Sequence, residues 1–264
     1  EVSMKSQKTM ARESGKFNTI KTLPYEGTDT EFLGYMDTHS TSKVLAIFKD
    51  SNEVKGLKEG DEGILILDKS PFYAESGGQV GDSGYIKTND GKFYVQDTIK
   101  IKKNVFGHIG VLESGSLKCN EQVEAAIDEH RRNDIKRNHS VTHLLHKALK
   151  IVLGNHVEQK GSLVDNLKTR FDFSHTKPIS NEEIHQIEFI INNEILTNKV
   201  TTTKMMSIDE AKESGALMLF GEKYDSEVRV LNIGNSIELC GGTHVTNTGD
   251  IGLFKIYAET GVAS

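Results

Sequence analysis

The chain has 264 residues, with 32 Lys and Arg against 38 Asp and Glu, a formal net charge of −6. At 36% hydrophobic and 27% charged it has enough apolar material for a core and too little imbalance for disorder, and its overall charge does not mark a nucleic-acid binder. Two cysteines, Cys119 and Cys240, exclude a disulfide framework, no run reaches the roughly 20 apolar residues of a membrane span, and residues 1–16 lack the apolar core of a signal peptide, so a two-domain cytoplasmic protein is expected.

Residues 1–16 read as a short helix closed near Gly15, the end of a preceding element. From Tyr25 to about Glu121 strand-length apolar runs at 45–48, 64–67, 93–95 and 108–112 are separated by Gly, Asp and Asn, with Asn89-Asp90-Gly91 as a hairpin signal. That spacing predicts a small β-barrel or sandwich. From about Val123 the period moves toward 3.6. Leu144, Leu145, Ala148, Leu149 and Val152 form a helix stripe that Gly154 is placed to stop. Ser180 with Glu183 is a capping box opening a helix with Ile184, Ile187, Ile191 and Ile195 on one face. Ser207 with Glu210 opens a third helix, ending near Gly215 or Gly221, and strands are expected at 228–231 and 251–257. The fold class is α+β: an N-terminal β-barrel domain followed by an α+β domain.

His139 and His143 sit one helical turn apart, so both rings leave the same face. Cys240 and His244 frame Cys-Gly-Gly-Thr-His, where two glycines let a loop pass close to something bound. One thiolate and three imidazoles complete a tetrahedral zinc shell; the alternatives are a solvated histidine pair and a cysteine buried as a small hydrophobe. His146 shares the helix face of His139 and is either a rival ligand or an orienting group. No Glu follows His139, which disfavours a zinc protease. Arg131, Arg132, Lys136, Arg137, Lys147 and Lys150 face Asp134 alone over 131–150, a strip that could hold a polyanion or be a solvated helix surface. Gln159 and Ser162 read as turn residues or as groups that orient substrate. The glycines between Pro71 and Gly84 make tight turns between barrel strands, or bring backbone amides to a polar ligand.

Pro71-Phe-Tyr-Ala-Glu-Ser-Gly-Gly-Gln-Val-Gly-Asp82, His139-Ser-Val-Thr-His-Leu-Leu-His146, Gln159-Lys-Gly-Ser162, Arg170-Phe-Asp-Phe173, Leu219-Phe-Gly-Glu-Lys-Tyr224 and Leu239-Cys-Gly-Gly-Thr-His-Val245 together resemble, in order and spacing, the editing region of alanyl-tRNA synthetase. The resemblance covers nearly the whole chain and is weakest between about Leu33 and Lys58. Residues 1–18 are similar to the stretch leaving that family's tRNA-recognition region, and Glu259-Thr-Gly-Val-Ala-Ser264 to the start of a longer motif. An internal fragment is therefore expected, without the aminoacylation core and the C-terminal domain: a helical tail at 1–19, a barrel at 20–121 and a zinc-binding editing domain at 122–264.

What the resemblance implies is hydrolysis of serine or glycine wrongly attached to tRNA(Ala), with zinc as cofactor and the tRNA(Ala) acceptor end as partner, inside an enzyme that attaches alanine to tRNA using ATP. A freestanding editing protein and a tRNA-binding zinc module without activity are the alternatives. The resemblance puts the zinc ligands on His139, His143, Cys240 and His244, catalytic roles on Thr142 and Gln159, substrate contact on Ser162 and Ser70, and acceptor-stem docking on Gly77 and Gly78 of the barrel. Ser70 stands where the family usually has Thr, and Val141 where it usually has Ala. Zinc either activates a water or, because four protein ligands close its shell, orders the pocket; no general base is assigned. Selection of serine over alanine calls for a hydroxyl partner, Thr142 or Ser70, since apolar size differences give only about 1–3 kcal/mol.

Overall fold

The apolar runs between Leu45 and Leu112 close into a barrel in the computed structural model, which describes residues 23–218 and 225–261. The helix expected over 1–16 and the 219–224 motif lie outside the described residues. Two units are distinguished, residues 1–76 with 81–129, and residues 77–80 with 130–264.

The first unit comprises β1 (Glu31–Phe32), β2 (His39–Lys49), β3 (Asn52–Val54), β4 (Gly56–Lys58), β5 (Glu62–Leu67), β6 (Lys69–Ser70), β7 (Gly84–Lys87), β8 (Gly91–Lys102), β9 (Val105–Lys118) and β10 (Gln122–Ile127). The ring runs β10–β7–β8–β9–β5–β2 and closes by pairing of β10 with β2, all antiparallel, so these strands have no open edge between them. Asn89-Asp90-Gly91 does turn β7 into β8, with Thr88 N–H donating to the Gly91 carbonyl. Inside, Phe72, Phe93, Leu65, Ile86 and Leu112 fill the core. Strict alternation along β10 sends Val123, Ala125 and Ile127 into the same core. The expected division at 121/122 therefore meets a barrel strand, and the units part between Glu129 and His130.

Among the polar residues of this unit with no exposure is the imidazole of His108 on β9. Its Nδ1–H donates to the Leu65 carbonyl at 2.9 Å and its Nε2 accepts the Ser70 hydroxyl at 2.7 Å, which is the neutral imidazole with both nitrogens satisfied. Burial pushes its pKa down to about 4, outweighing the upward pull of the Leu65 carbonyl. Unfolding restores the ordinary value of 6.5. The unfolded chain thus binds more protons between those values, and the stability contribution is complete above pH 6.5 and lost as pH falls toward 4, by about 3 kcal/mol. Urea midpoints at pH 7 and pH 4.5 should differ less in His108→Gln than in the parent; an equal difference would refute this role.

The second unit comprises α1 (Glu129–Leu153), β11 (Gln159–Val164), β12 (Thr169–Phe173), α2 (Asn181–Leu196), β13 (Thr202–Ser207), α3 (Ile208–Glu213), β14 (Glu227–Ile233) and β15 (Ser236–Leu239). Its core packs Leu144, Ala148 and Leu149 of α1 against Ile187, Ile191 and Ile195 of α2 and Leu231 and Ile233 of β14. Both expected capping boxes form, Ser180 with Glu183 and Ser207 with Glu210. Gly154 follows the last turn of α1, and α3 stops at Ser214 before Gly215; the other expected stop, Gly221, is outside the described residues.

The strand expected at 251–257 is absent. A short 3-10 turn, Thr248–Ile251, leads into an extended segment whose backbone bonds to α2 side chains instead of a neighbouring strand. Phe254 N–H donates to Asn192 Oδ1 and Ile256 N–H to Glu188 Oε1. Apolar periodicity cannot distinguish such docking from a ladder. The chain is α+β, mostly β, and among the described residues no helix is long and apolar enough to cross a membrane.

Candidate metal centre

Helix α1 carries His139 and His143 one turn apart, and the loop after β15 brings Cys240 and His244 against them. The four ligand atoms lie within 4.8 Å of one another. Cys240 Sγ is 3.5 Å from His139 Nε2 and 3.3 Å from His244 Nε2. A tetrahedral ion with bonds of 2.0–2.3 Å separates such ligands by about 3.3–3.6 Å. His143 Nε2 is buried and has no hydrogen-bond partner, an orphan that a metal ion at the centre would satisfy. The donor set therefore fits a metal ion, and the chemistry of three nitrogens and a thiolate is one that zinc takes.

Each imidazole presents Nε2 to the centre because Nδ1 is held from behind. His143 Nδ1–H donates to Glu238 Oε2 at 2.7 Å, His139 Nδ1–H to Gln79 Oε1 at 2.7 Å, and His244 Nδ1 lies 3.3 Å from Ser140 Oγ. Gln79, with no exposure, also accepts the Thr243 N–H and donates to the Thr243 hydroxyl, tying the cysteine loop to the His139 ring. Arg229 Nη1 donates to the carbonyls of Cys240 and Gly242 at 2.8 and 3.1 Å. The Gly242 backbone passes so close to His139 that a Cβ there would stand 2.1 Å from its Cε1. What the loop approaches is the His139 ring.

His146 is not one of the four gathered ligands. Its Nδ1–H donates to Glu238 Oε1 at 3.1 Å, so a single buried carboxylate holds His143 and His146 together. Burial raises the Glu238 pKa, yet His143 and His146 outweigh it and hold the carboxyl at about 2. Burial likewise opposes ionisation of Cys240, but the rings of His139, His244 and His143 bring its thiol well below the ordinary range, to the ligating thiolate form. Burial drives His244 down to about 3, the neutral form a metal needs. Glu238→Gln keeps the shape but gives one His N–H an amide donor to face, and should weaken zinc binding about 10–100-fold in a chelator competition; unchanged affinity would remove Glu238 from this role.

Of the remaining expected residues, several converge in the second unit. The register slips between Gln159 and Gly161 of β11. That bulge returns residues three apart to one side of the strand, and Gln159 Nε2 reaches Ser162 Oγ at 3.3 Å. Gly78, at φ +85°, lies against the same serine, where a Cβ would stand 2.2 Å from Ser162 Oγ. Gly77 and Gly78 thus belong with β11 in the second unit, not with the barrel, because Val164 N–H donates to the Gly78 carbonyl and Val80 N–H to the Val164 carbonyl. Thr142 Oγ1 donates to the Asn138 carbonyl and meets Thr169 Oγ1, both at 2.7 Å.

Ser70 does not fit the substrate contact expected of it. It is fully buried in the first unit, accepts the Phe72 N–H and donates to His108, so its hydroxyl is spent within the barrel. Gln79, Ser140, Arg229 and Glu238 were not singled out from sequence. Gln79 and Ser140 do stand inside the motifs that carry the resemblance, and Glu238 is a polar residue between Ile237 and Leu239, where strand neighbours are apolar.

Two family models match: "tRNA synthetases class II (A)" over residues 1–131 and "Threonyl and Alanyl tRNA synthetase second additional domain" over residues 228–264. The chain is 56% identical over its full length to an alanine–tRNA ligase of Methylobacillus flagellatus, 55% over 99% of its length to one of Nitrosospira multiformis and 54% over its full length to one of Delftia acidovorans. It spans about 30% of the length of each of these relatives.

Proposed function

This chain belongs to the alanine–tRNA ligase family, and from that premise we propose that it hydrolyses the ester of serine or glycine wrongly attached to tRNA(Ala), with zinc at the His139, His143, Cys240 and His244 cluster. The observation that carries this reading is the N3S cluster with Thr142, Gln159 and Ser162 on the elements beside it. In the reaction, water adds to the aminoacyl carbonyl carbon, the carbon–ribose oxygen bond breaks, and the ribose oxygen leaves with a proton. Zinc, when bound, supplies positive charge that stabilises the developing oxyanion or orders the pocket.

The side chains around it handle orientation. Gln159, steadied by Ser162, offers its amide to the water or the carbonyl. Thr142 spends its proton on the Asn138 carbonyl, so toward substrate it can only accept, which suits the hydroxyl of a seryl group. An alanyl methyl offers no donor to that oxygen and leaves it with Thr169 alone, whereas glycine leaves room for a water to donate to it. Thr142→Val should accordingly reduce the preference for seryl over alanyl ester at least about tenfold in kcat/KM. Unchanged preference would move selection elsewhere.

The direct test is deacylation of Ser-tRNA, Gly-tRNA and Ala-tRNA, all on tRNA(Ala), by the zinc-loaded chain. Release of serine and glycine with alanine spared is the expected result. Four protein ligands fill a tetrahedral shell, and this favours one second reading, a tRNA-binding module with a structural metal. Zinc bound with no ester cut would support it.

A further inference from the structure

The basic residues of α1 are not equivalent once the helix is folded. Arg132 is buried at 1% exposure and Arg137 pairs with Asp134. Lys147 and Lys150, four and seven residues beyond His143, share its helix face, about 6 and 10 Å further along the axis. Both are half-buried, and neither pairs with a carboxylate among the described residues. Glu158, whose charge Lys150 feels, is already paired with Lys160 at 2.8 Å.

The two lysines border a cleft of about 360 Å³ within the second unit, lined also by the polar Asn155 and Asn235 and the apolar Ile151, Leu217 and Ile237. No acidic side chain lines it. The carboxamides of both asparagines have no hydrogen-bond partner among the described residues. Two ammonium groups, two free amides and apolar side chains offer partners for the phosphates, sugars and base faces of a nucleotide chain.

We infer that this cleft receives the phosphodiester backbone of the single-stranded end of an RNA, one to two turns along α1 from the metal cluster; this deepens the editing reading and rests on it. The test measures binding of a labelled hairpin RNA with a short single-stranded 3′ end, as a function of KCl, to the zinc-loaded chain and to Lys147→Ala/Lys150→Ala. Alanine suits a helix surface, so the variant should fold and keep its zinc, which circular dichroism and metal analysis check.

Each phosphate contact on a single strand contributes about 0.7 to the slope of log K against log salt, so the slope should become shallower by about 1.4. A blunt hairpin should show no such difference. Lys212→Ala, whose lysine pairs with Asp209 elsewhere on the unit, should retain the parent slope. A parental slope in the double variant, an equal loss on the blunt hairpin, or no RNA binding by the loaded chain would overturn the inference. Deacylation with an unchanged slope would sink the cleft alone, whereas a reduced slope in a chain that cuts no ester would sink the editing reading and leave the cleft standing.

Discussion

Cys240→Ala should weaken zinc binding by at least about 100-fold and abolish release of serine from Ser-tRNA(Ala). A structural zinc site is worth about 10–16 kcal/mol, so one of four ligands carries on the order of 3 kcal/mol, which is about 100-fold. The thiolate is also the only anion among the four gathered ligands. Without it three imidazoles crowd together, with His139 and His244 ring centroids 4.4 Å apart, and no ligand atom carries a charge to offset the ion's. Cys240→Ser separates charge from shape. A serine hydroxyl stays protonated at neutral pH, so this near-isosteric variant should lose zinc almost as badly as the alanine. Competition against a chromophoric chelator gives the affinity and the deacylation assay gives the rate. Either variant holding zinc at parental strength would overturn the ligand assignment.

Gly242→Ala should damage the same centre through geometry alone. The added Cβ would lie 2.1 Å from His139 Cε1, 2.4 Å from its Nδ1 and 2.9 Å from Gln79 Oε1. None of these is the free end of a flexible side chain: the His139 ring is 5% exposed and its Nδ1–H is committed to Gln79. Either the ring turns away from the metal, or the loop retreats and loses the Arg229 bonds to the Cys240 and Gly242 carbonyls. Overpacking of this kind costs about 1–3 kcal/mol. At about 2–4 °C per kcal/mol for a chain of this size, the melting temperature should fall by several degrees. Zinc affinity should drop more than tenfold, since the displaced ring is a ligand. A variant with parental melting temperature and zinc content would show that the loop tolerates a side chain there.

Much of the fold was legible because its signals are local. The hairpin at Asn89-Asp90-Gly91, the two capping boxes and the stripe from Leu144 to Leu149 each depend on residues a few positions apart. Two features misled for the same reason. Residues 122–127 lie where the period moves toward 3.6, yet their partners are in β2 and β7, far back in the chain. The run at 251–257 has strand-like apolar content, but α2 side chains rather than a neighbouring strand take its backbone groups.

The candidate centre divides along the same line. The amino-acid sequence by itself determined which side chains can ligate a metal, because a histidine pair one turn apart and a cysteine and histidine bracketing two glycines are local patterns. Only the tertiary structure decided what aims them. Gln79 reaches His139 across 60 residues and Glu238 reaches His143 across 95. It also decided that the Ser70 hydroxyl serves His108 inside the barrel, and that Gly77 and Gly78 belong with β11. The physical reason is that a ligand's identity is a property of one residue, whereas orientation and hydrogen-bond satisfaction are pairwise and depend on which distant groups the folded chain brings within about 3 Å.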